Sequence, residues 1–262
     1  MIDSHCHLNF KTLSDNIELI IDNARKNNIT SILSINTNPE EFKEHYKLIN
    51  KFKSLFISYG LHPANVNSNN IIEVEDIVLN CDYKRVIAIG ETGLDFFRSQ
   101  NFKKEQYRVF ENHIEASYQT RLPLIIHQRE SESEIIDVIT NYQKERPLKI
   151  VFHCFTGSSK LRNFCLDNEF YISLSGIITF KNAQNIRDVI SCVPLSSILI
   201  ETDSPFLAPM PHRGKNNEPS YVKFIGEFLS DFFQTPLDSF ESIIDDNFYE
   251  LFSKAIRYNE IS

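Results

Sequence analysis

Six side chains that could bind metal ions stand where short apolar runs of the sequence end. Four are imidazoles and two are carboxylates, a set sufficient for two divalent ions bridged by one carboxylate. Ions held in this way turn a bound water molecule into a nucleophile near neutral pH and stabilise charge on a phosphoryl group. The residue types therefore indicate a dinuclear metallohydrolase. The six candidates are His5, His7, Glu91, His127, His153 and Asp203.

Each candidate also has a plainer interpretation when it is taken alone. A His-x-His pair such as His5 and His7 occurs by chance, although side chains two apart on a strand share one side and can bind one ion. A histidine such as His127 could be a hydrogen-bonded core residue, and Glu91 could cap a strand. Asp3 alternates in step with His5 and could orient an imidazole. The joint placement of all six at the ends of predicted strands is what favours a metal site.

The elements that would position these side chains are short strands alternating with segments of helical periodicity. Near-continuous apolar runs such as VIAIG and LPLII are typical of parallel strands covered on both faces. Eight such strands predict an α/β fold of the (β/α)8 TIM barrel type, in which the carboxyl ends of the strands meet at one rim. The predicted strands are residues 1–7, 31–35, 55–60, 85–91, 122–127, 148–154, 170–174 and 197–203.

The chain after the eighth predicted strand has a different composition. Residues 205–219 are rich in Pro, Gly, Asn and charge, and they predict a loop over the rim. Helices at 221–233 and 237–258 would complete the fold. We expect one domain over residues 1–262, because barrels of this type reach about 250 residues.

The composition suits a folded enzyme in a reducing compartment. Apolar residues make up 42% of the chain and charged residues 24%. No apolar run approaches the roughly 18 residues of a membrane span, and the first residues lack the features of a secretory signal. The five cysteines form no CxxC pair, which indicates free thiols. We expect a cytoplasmic protein without membrane association, and we expect a monomer.

The net charge of −8 argues against a protein that grips nucleic acid through a broad basic face. It does not exclude a nucleic-acid substrate, because two divalent ions would bring about four positive charges to the site. The cations predicted near the rim are Arg98, Arg129, Lys160, Arg213 and Lys215.

Seven sequence blocks occur in a specific order and spacing. They are DSHCHL from Asp3, GLHP from Gly60, GETGLD from Gly90, IIHQR from Ile125, HCFTG from His153, ETDSPFLAP from Glu201 and RGKNNEP from Arg213. In these blocks the chain resembles the TatD family of metal-dependent hydrolases, from near its start to about Pro219. The resemblance implies a cytosolic two-metal hydrolase, a magnesium-dependent deoxyribonuclease that acts on single-stranded DNA as a 3′ to 5′ exonuclease.

The resemblance also implies roles for the ligand candidates. One ion would be held by His5, His7, Glu91 and Asp203 and the other by Glu91, His127 and His153. Glu91 would therefore bridge the two ions. Asp203 would also orient and deprotonate the attacking water.

Substrate contacts are implied by the same blocks. His62 in GLHP and Arg213 resemble positions that contact the scissile phosphate, so His62 joins Glu91 and Asp203 as a catalytic candidate. Arg129, the cation that ends the IIHQR block, is a further substrate-binding candidate. A histidine-rich site binds transition metals better than magnesium. We therefore expect zinc or manganese in purified protein even where magnesium supports activity.

Two other functions are compatible with parts of this pattern. The same metal chemistry could hydrolyse another ester or amide, such as the ester of a D-aminoacyl-tRNA, because the rim loops rather than the metal ligands choose the substrate. A non-catalytic binding protein on a retained barrel would carry broken ligands, and all six candidates are intact. The sequence therefore favours an enzyme and leaves its substrate open.

Overall fold

The core of the molecule is a barrel of eight parallel strands. The computed structural model describes residues 1–144 and 146–257. Each strand pairs with the next along the chain, in the order β1 to β8, which confirms the predicted (β/α)8 fold class. The strands are β1 Ile2–Cys6, β2 Ser31–Ser34, β3 Leu55–Tyr59, β4 Val86–Asp95, β5 Leu124–Arg129, β6 Ile150–Phe152, β7 Tyr171–Leu174 and β8 Ile198–Ile200.

Helices follow the strands and cover the outside of the barrel. In the described parts of the chain, none of them is long and apolar enough to cross a membrane. The helices are α1 Lys11–Ser14, α2 Ile17–Lys26, α3 Phe42–Ile49, α4 Val74–Cys81, α5 Lys103–Thr120, α6 Glu132–Gln143, α7 Ser159–Asp167, α8 Gln184–Ile190, α9 Val222–Phe232 and α10 Leu237–Leu251.

Every strand begins or ends one to four residues away from its predicted bounds. β4 and β5 run further than predicted, so Glu91 and His127 lie within strands rather than at their ends. The final helix stops at Leu251, and the predicted limit of 258 lies outside the described residues. Residues 205–218 contain neither helix nor strand, as predicted for a loop. The assignment of the whole chain to one domain stays a prediction.

The barrel closes between its first and last strands. The His7 N–H donates to the Ser204 carbonyl oxygen at 2.8 Å, and the Asp203 N–H donates to the His5 carbonyl oxygen at 2.9 Å. Because these bonds join the segment after β8 to the end of β1, ligand candidates from the two ends of the barrel sequence become neighbours.

Apolar side chains pack in two layers, one inside the barrel and one between its strands and helices. The outer layer contains helix residues such as Ile21 and Phe110. Ile125 alternates with Leu124 and Ile126 of that outer layer, so it faces the interior. α10 contributes to the inner layer. The inner layer includes Ile2, Leu33, Phe56, Ile87, Ile125, Val151, Leu199, Phe248, Leu251 and Phe252.

An irregularity in β4 turns Glu91 toward the interior. Ile89 packs in the outer layer, and simple alternation would put Glu91 on the same side. The pairing register with β5 shifts between Ile89 and Thr92. Gly90 has a φ of 134°, a conformation that glycine adopts readily and other residues rarely do. This shift places the Glu91 carboxylate among the histidines rather than against a helix.

A shift in β1 separates His5 from Asp3. The pairing register with β2 shifts between Asp3 and Cys6, so the two side chains do not share a side as alternation predicts. The buried Asp3 carboxylate instead accepts hydrogen bonds from the Thr202 N–H at 2.8 Å and from the Thr202 hydroxyl at 2.6 Å. Asp3 therefore holds the segment after β8 in place and does not orient an imidazole.

A buried histidine of α5 holds the segment that follows β3. His113 Nε2 accepts a hydrogen bond from the Leu61 N–H at 3.2 Å, and His113 Nδ1 lies 2.6 Å from the Val109 carbonyl oxygen, to which it donates. The neutral ring satisfies both contacts. Burial lowers the pKa of His113 from 6.5 to about 4.

This low pKa predicts a pH-dependent stability. Between pH 6.5 and about 4 the unfolded chain takes up a proton at His113 and the folded chain does not. The contribution of His113 to stability is therefore complete above pH 6.5 and is lost as the pH is lowered toward 4. At about 1.4 kcal/mol for each pH unit, the loss reaches about 3 kcal/mol near pH 4. Urea unfolding at pH 7 and pH 4.5, with a chelator present, measures it.

The variant His113→Gln provides the comparison, because glutamine keeps an acceptor for Leu61 and does not titrate. Its unfolding free energy is expected to change less between the two pH values than that of the wild type. Equal pH dependence in the two proteins would contradict a neutral His113 in the fold.

Candidate active site

An open cavity of about 630 Å³ lies at the carboxyl ends of the strands. Five of the six metal candidates line it, and the sixth, His5, lies beneath them with 1% of its surface exposed. The structure thus brings all six together. The lining candidates are His7, Glu91, His127, His153 and Asp203.

Glu91 is at the centre of the cluster, and its two oxygens face different partners. Oε1 lies 2.8 Å from His153 Nε2 and 2.9 Å from His127 Nδ1, whereas Oε2 lies 3.4 Å from His5 Nε2. Burial by itself would raise the pKa of Glu91. The charge of His153, with hydrogen bonds from His127 and His153, holds this pKa well below its usual range. Glu91 is therefore a carboxylate shared by two groups of imidazoles.

Asp203 joins the group that contains His5. Its Oδ1 lies 3.2 Å from His7 Nε2 and 3.7 Å from His5 Nε2. Burial would raise the pKa of Asp203, but the hydrogen bond and charge of His7 lower it. The backbone of Asp203 has a φ of 53°, a left-handed conformation that Asp tolerates better than most residues. Asp203 is thus an ionised carboxylate that lines the cavity.

The donor set fits divalent metal ions. Buried imidazole nitrogens normally have a hydrogen-bond partner, yet within the described residues both ring nitrogens of His5 and Nδ1 of His7 have none. Burial and the charge of His153 lower the pKa of His5, which favours the neutral form that a metal ligand requires. Ligand atoms in each of three groups lie within 4.8 Å of one another. The groups are His5–His7–Asp203, His5–Glu91–His153 and His62–Glu91–His127.

Two further carboxylates hold the histidines on the far side of Glu91. Asp95 Oδ2 lies 3.1 Å from His127 Nε2, and Glu201 Oε1 lies 3.3 Å from His153 Nδ1. Burial by itself would raise the pKa of Asp95, but hydrogen bonds from His127 and from the Arg98 N–H lower it to about 2. An ionised Asp95 only accepts, so in the neutral form that a metal ligand requires, His127 carries its proton on Nε2 and presents Nδ1 to the cluster.

His62 contacts the cluster from the segment after β3. Its Nδ1 accepts a hydrogen bond from the Ala64 N–H at 2.9 Å, and its Nε2 lies 3.2 Å from Glu91 Oε1. Burial lowers the pKa of His62, and because Nδ1 accepts from the Ala64 N–H, the neutral ring carries its proton on Nε2. In this form His62 is a hydrogen-bond donor to the cavity, as a phosphate contact would need.

The two arginines predicted to bind substrate have different surroundings. Arg129 lines the cavity, with its guanidinium carbon 3.9 Å from the centre of the Phe97 ring. Arg213 is exposed and stacks on Phe180 at 4.4 Å, and it is not among the residues that line the cavity. Arg98, which follows β4, is a second cation of the lining.

Comparison with known proteins agrees with this geometry. A model of the family described as TatD related DNase matches residues 2–253. The chain belongs to the TatD family. The fold and the resemblance inferred from the sequence blocks are both confirmed, and the chain is that of a metal-dependent hydrolase.

Relatives of this TatD-family chain match it along nearly its whole length. It is 38% identical to the uncharacterized metal-dependent hydrolase BU355 of Buchnera aphidicola, over 97% of this chain and 99% of that protein. It is 33% identical to the uncharacterized metal-dependent hydrolase YcfH of Escherichia coli, over 96% of this chain and 95% of that protein. The crystal structure of YJJV, a TatD homolog from Escherichia coli, superposes with a TM-score of 0.89 at 26% identity, covering 97% and 98% of the two chains.

Asp95 and Glu201 are site residues of this TatD-family chain that we did not predict from the sequence. Asp95 ends the GETGLD block and shares its alternation with Glu91, so strand periodicity beyond Glu91 could have identified it. Glu201 precedes Asp203 by two residues, and its carboxylate contacts His153 and Cys154, which follow β6. No sequence signal links it to Cys154, whose N–H donates to Glu201 Oε1 at 2.7 Å.

Asp95→Asn is expected to weaken metal binding of the TatD-family site 10- to 100-fold. The amide nitrogen that faces His127 would donate, so the imidazole would move its proton to Nδ1, the nitrogen that faces Glu91. Titration of the metal-free protein with Mn²⁺ or Zn²⁺ measures the affinity. Asp167→Asn, at an exposed carboxylate of α7, is the matched control. Equal affinities in the two variants would contradict this role of Asp95.

Proposed function

We propose that the protein is a dinuclear metal-dependent deoxyribonuclease that removes nucleotides from single-stranded DNA in the 3′ to 5′ direction. The proposal rests on the position of the Glu91 carboxylate. Its Oε2 faces His5, and its Oε1 faces His127 and His153. His5, His7 and Asp203, whose ligand atoms lie within 4.8 Å of one another, would hold one ion together with Glu91, whose Oε2 faces His5. Glu91 with His127 and His153 would hold the other. When bound, two such ions stabilise the charges of an in-line displacement at phosphorus and lower the pKa of a water molecule.

The protein's own groups supply the remaining requirements of phosphodiester hydrolysis. Asp203 is ionised and lines the cavity, so it can orient a water molecule and accept its proton. His62 offers its Nε2 proton to an oxygen of the scissile phosphate. Arg129 can take two phosphate oxygens at once, because its guanidinium is planar.

Parallel assays of the metal-loaded protein test the proposal. Single-stranded DNA labelled at its 3′ end is expected to release labelled mononucleotide at once, and DNA labelled at its 5′ end is expected to shorten stepwise. A chelator should stop both reactions. Single-stranded RNA and D-aminoacyl-tRNA are assayed beside them. Hydrolysis of the aminoacyl ester without release of nucleotides would reject the nuclease in favour of a deacylase.

Arg129→Lys is expected to lower kcat/KM on single-stranded DNA about 10-fold, because an ammonium cannot replace a bidentate phosphate contact. The same variant should hydrolyse a neutral carboxylic ester at the wild-type rate. Arg146→Lys is the matched control, since Arg146 is exposed and stacks on Tyr118 at 4.9 Å away from the cavity lining. An equal loss of kcat/KM on DNA and on the ester would mean that Arg129 does not bind the phosphate.

Arg213 stays a predicted phosphate contact. Although the exposed guanidinium lies on Phe180 and outside the lining of the cavity, the loop that carries it follows β8 directly. Arg213→Lys in the same pair of assays decides its role. A selective loss on DNA would assign the loop to substrate binding, and an unchanged kcat/KM would remove Arg213 from the site.

A further inference from the structure

Two exposed phenylalanines lie against each other at one wall of the cavity. Phe10 follows β1 and Phe206 follows β8, and both line the cavity. Their ring centres are 5.3 Å apart with the rings nearly perpendicular. Phe206 is 47% exposed and Phe10 39%, so much of each apolar ring faces solvent at the mouth of the site.

The aromatic pair lies next to His7, one of the candidate metal ligands. The His7 ring lies 5.6 Å from the Phe10 ring and 6.3 Å from the Phe206 ring, and His7 Nε2 lies 3.2 Å from Asp203 Oδ1. A flat group held on these phenylalanines would therefore be beside a bond attacked at the metal cluster.

Both rings are carried by firmly held backbone. The Phe206 N–H donates to the Asp203 carbonyl oxygen at 3.0 Å, and the Phe206 carbonyl oxygen accepts from the Asn217 side chain at 2.6 Å. Phe10 donates to the His7 carbonyl oxygen at 3.2 Å, and its own carbonyl oxygen accepts from the N–H of Leu13. The backbone that carries the two rings is thus ordered by the fold, and a ligand would not have to order it on binding.

The opposite wall of the cavity carries the positive charge. Arg98 follows β4 and Arg129 ends β5, and in a closed ring of eight strands β4 and β5 lie across from β8 and β1. Among the described residues that line the cavity, these are the only arginines or lysines. The cavity therefore has an aromatic wall and a cationic wall on either side of the metal ligands.

This division matches the chemistry of a single nucleic-acid strand, which has flat apolar bases on one side and phosphates on the other. Resting on the proposed nuclease function, we infer that Phe10 and Phe206 form a stacking site for an unpaired base next to the scissile phosphate. The phosphates of the strand lie toward Arg98 and Arg129. Because a base inside a duplex is already stacked on both faces by its neighbours, it cannot stack on a side chain, so this site favours single strands.

Substrates with and without bases test the stacking site. An oligothymidylate is compared with the same oligomer in which the two nucleotides flanking the scissile phosphate lack bases. The wild type is expected to cleave the complete substrate with a kcat/KM about 10-fold higher. Phe206→Leu should lose most of this difference, chiefly through a higher KM on the complete substrate, and Phe10→Leu should act in the same direction.

Equilibrium binding gives a second measurement. Fluorescence anisotropy measures the affinity for the two oligomers, which carry phosphorothioates at the scissile bonds. The wild type is expected to bind the oligomer with bases more tightly, and Phe206→Leu is expected to bind the two equally. Tyr83→Leu is the control, because Tyr83 has the same 39% exposure as Phe10 and does not line the cavity. It should behave as the wild type does.

The outcomes separate the inference from the function on which it rests. If Phe206→Leu lowers kcat/KM equally on the substrates with and without bases, the ring does not contact a base. The stacking site is then rejected while the nuclease function stands. If the metal-loaded wild type cleaves no nucleic acid, the proposed function fails and the stacking site is rejected with it.

Discussion

Glu91→Ala is expected to reduce the bound metal from two ions per chain to one or none and to lower hydrolysis to background. Glu91 is the one carboxylate whose oxygens face both groups of imidazoles among the described ligand candidates, so its removal takes a ligand from each ion at once. Metal analysis after gel filtration, beside an assay of turnover, measures both effects. Circular dichroism checks that the barrel still folds.

The control for Glu91→Ala is Glu75→Ala, which removes an exposed carboxylate from α4. It should keep the metal content and the turnover of the wild type. If Glu91→Ala retained two ions per chain, Glu91 would not be a ligand shared by the two ions. The contacts of its two oxygens with different imidazoles would then have another cause.

Asp203→Asn is expected to lower turnover by about 10²- to 10⁴-fold, the usual contribution of a general base. An amide can still offer an oxygen to a metal ion, but it cannot accept a proton at neutral pH. The metal content is therefore expected to change much less than the rate. Asparagine also tolerates the left-handed backbone at Asp203, where φ is 53°, so the loop should keep its shape.

Comparison with Asp203→Ala separates ligation from proton transfer. Alanine lacks the oxygen and is strained at this φ, so this variant is expected to lose metal as well as activity. A turnover of Asp203→Asn within a few-fold of the wild type, with metal bound, would remove the base role from Asp203.

Much of the site was predictable because it depends on local alternation at the ends of regular strands. Val151 faces the interior, and His153 follows two residues later with the same alternation. Ile125 and His127 have the same relationship on β5. Parallel strands in a barrel bring such positions to one rim whatever the loops between them do. The type and spacing of the ligands were therefore enough to predict both the fold and a metal cluster.

The arrangement within the cluster depends on register shifts that no local pattern reveals. Alternation from Ile89 would turn Glu91 toward a helix, and the shift at Gly90 turns it inward. Such a shift is set by how β4 pairs with β5, which involves residues far apart in the sequence. The same reason separates Asp3 from His5 in β1.

The chain alone thus determined which residues could bind metal, the barrel that gathers them and the family to which they belong. The tertiary structure decided which nitrogen His127 and His62 present to the cavity, because Asp95 and the Ala64 N–H fix the protons of these two rings. It also decided that Phe10 and Phe206 meet at the rim while Arg213 lies on Phe180. These outcomes depend on loop packing and strand register, which are contacts between distant parts of the chain and have no local sequence period.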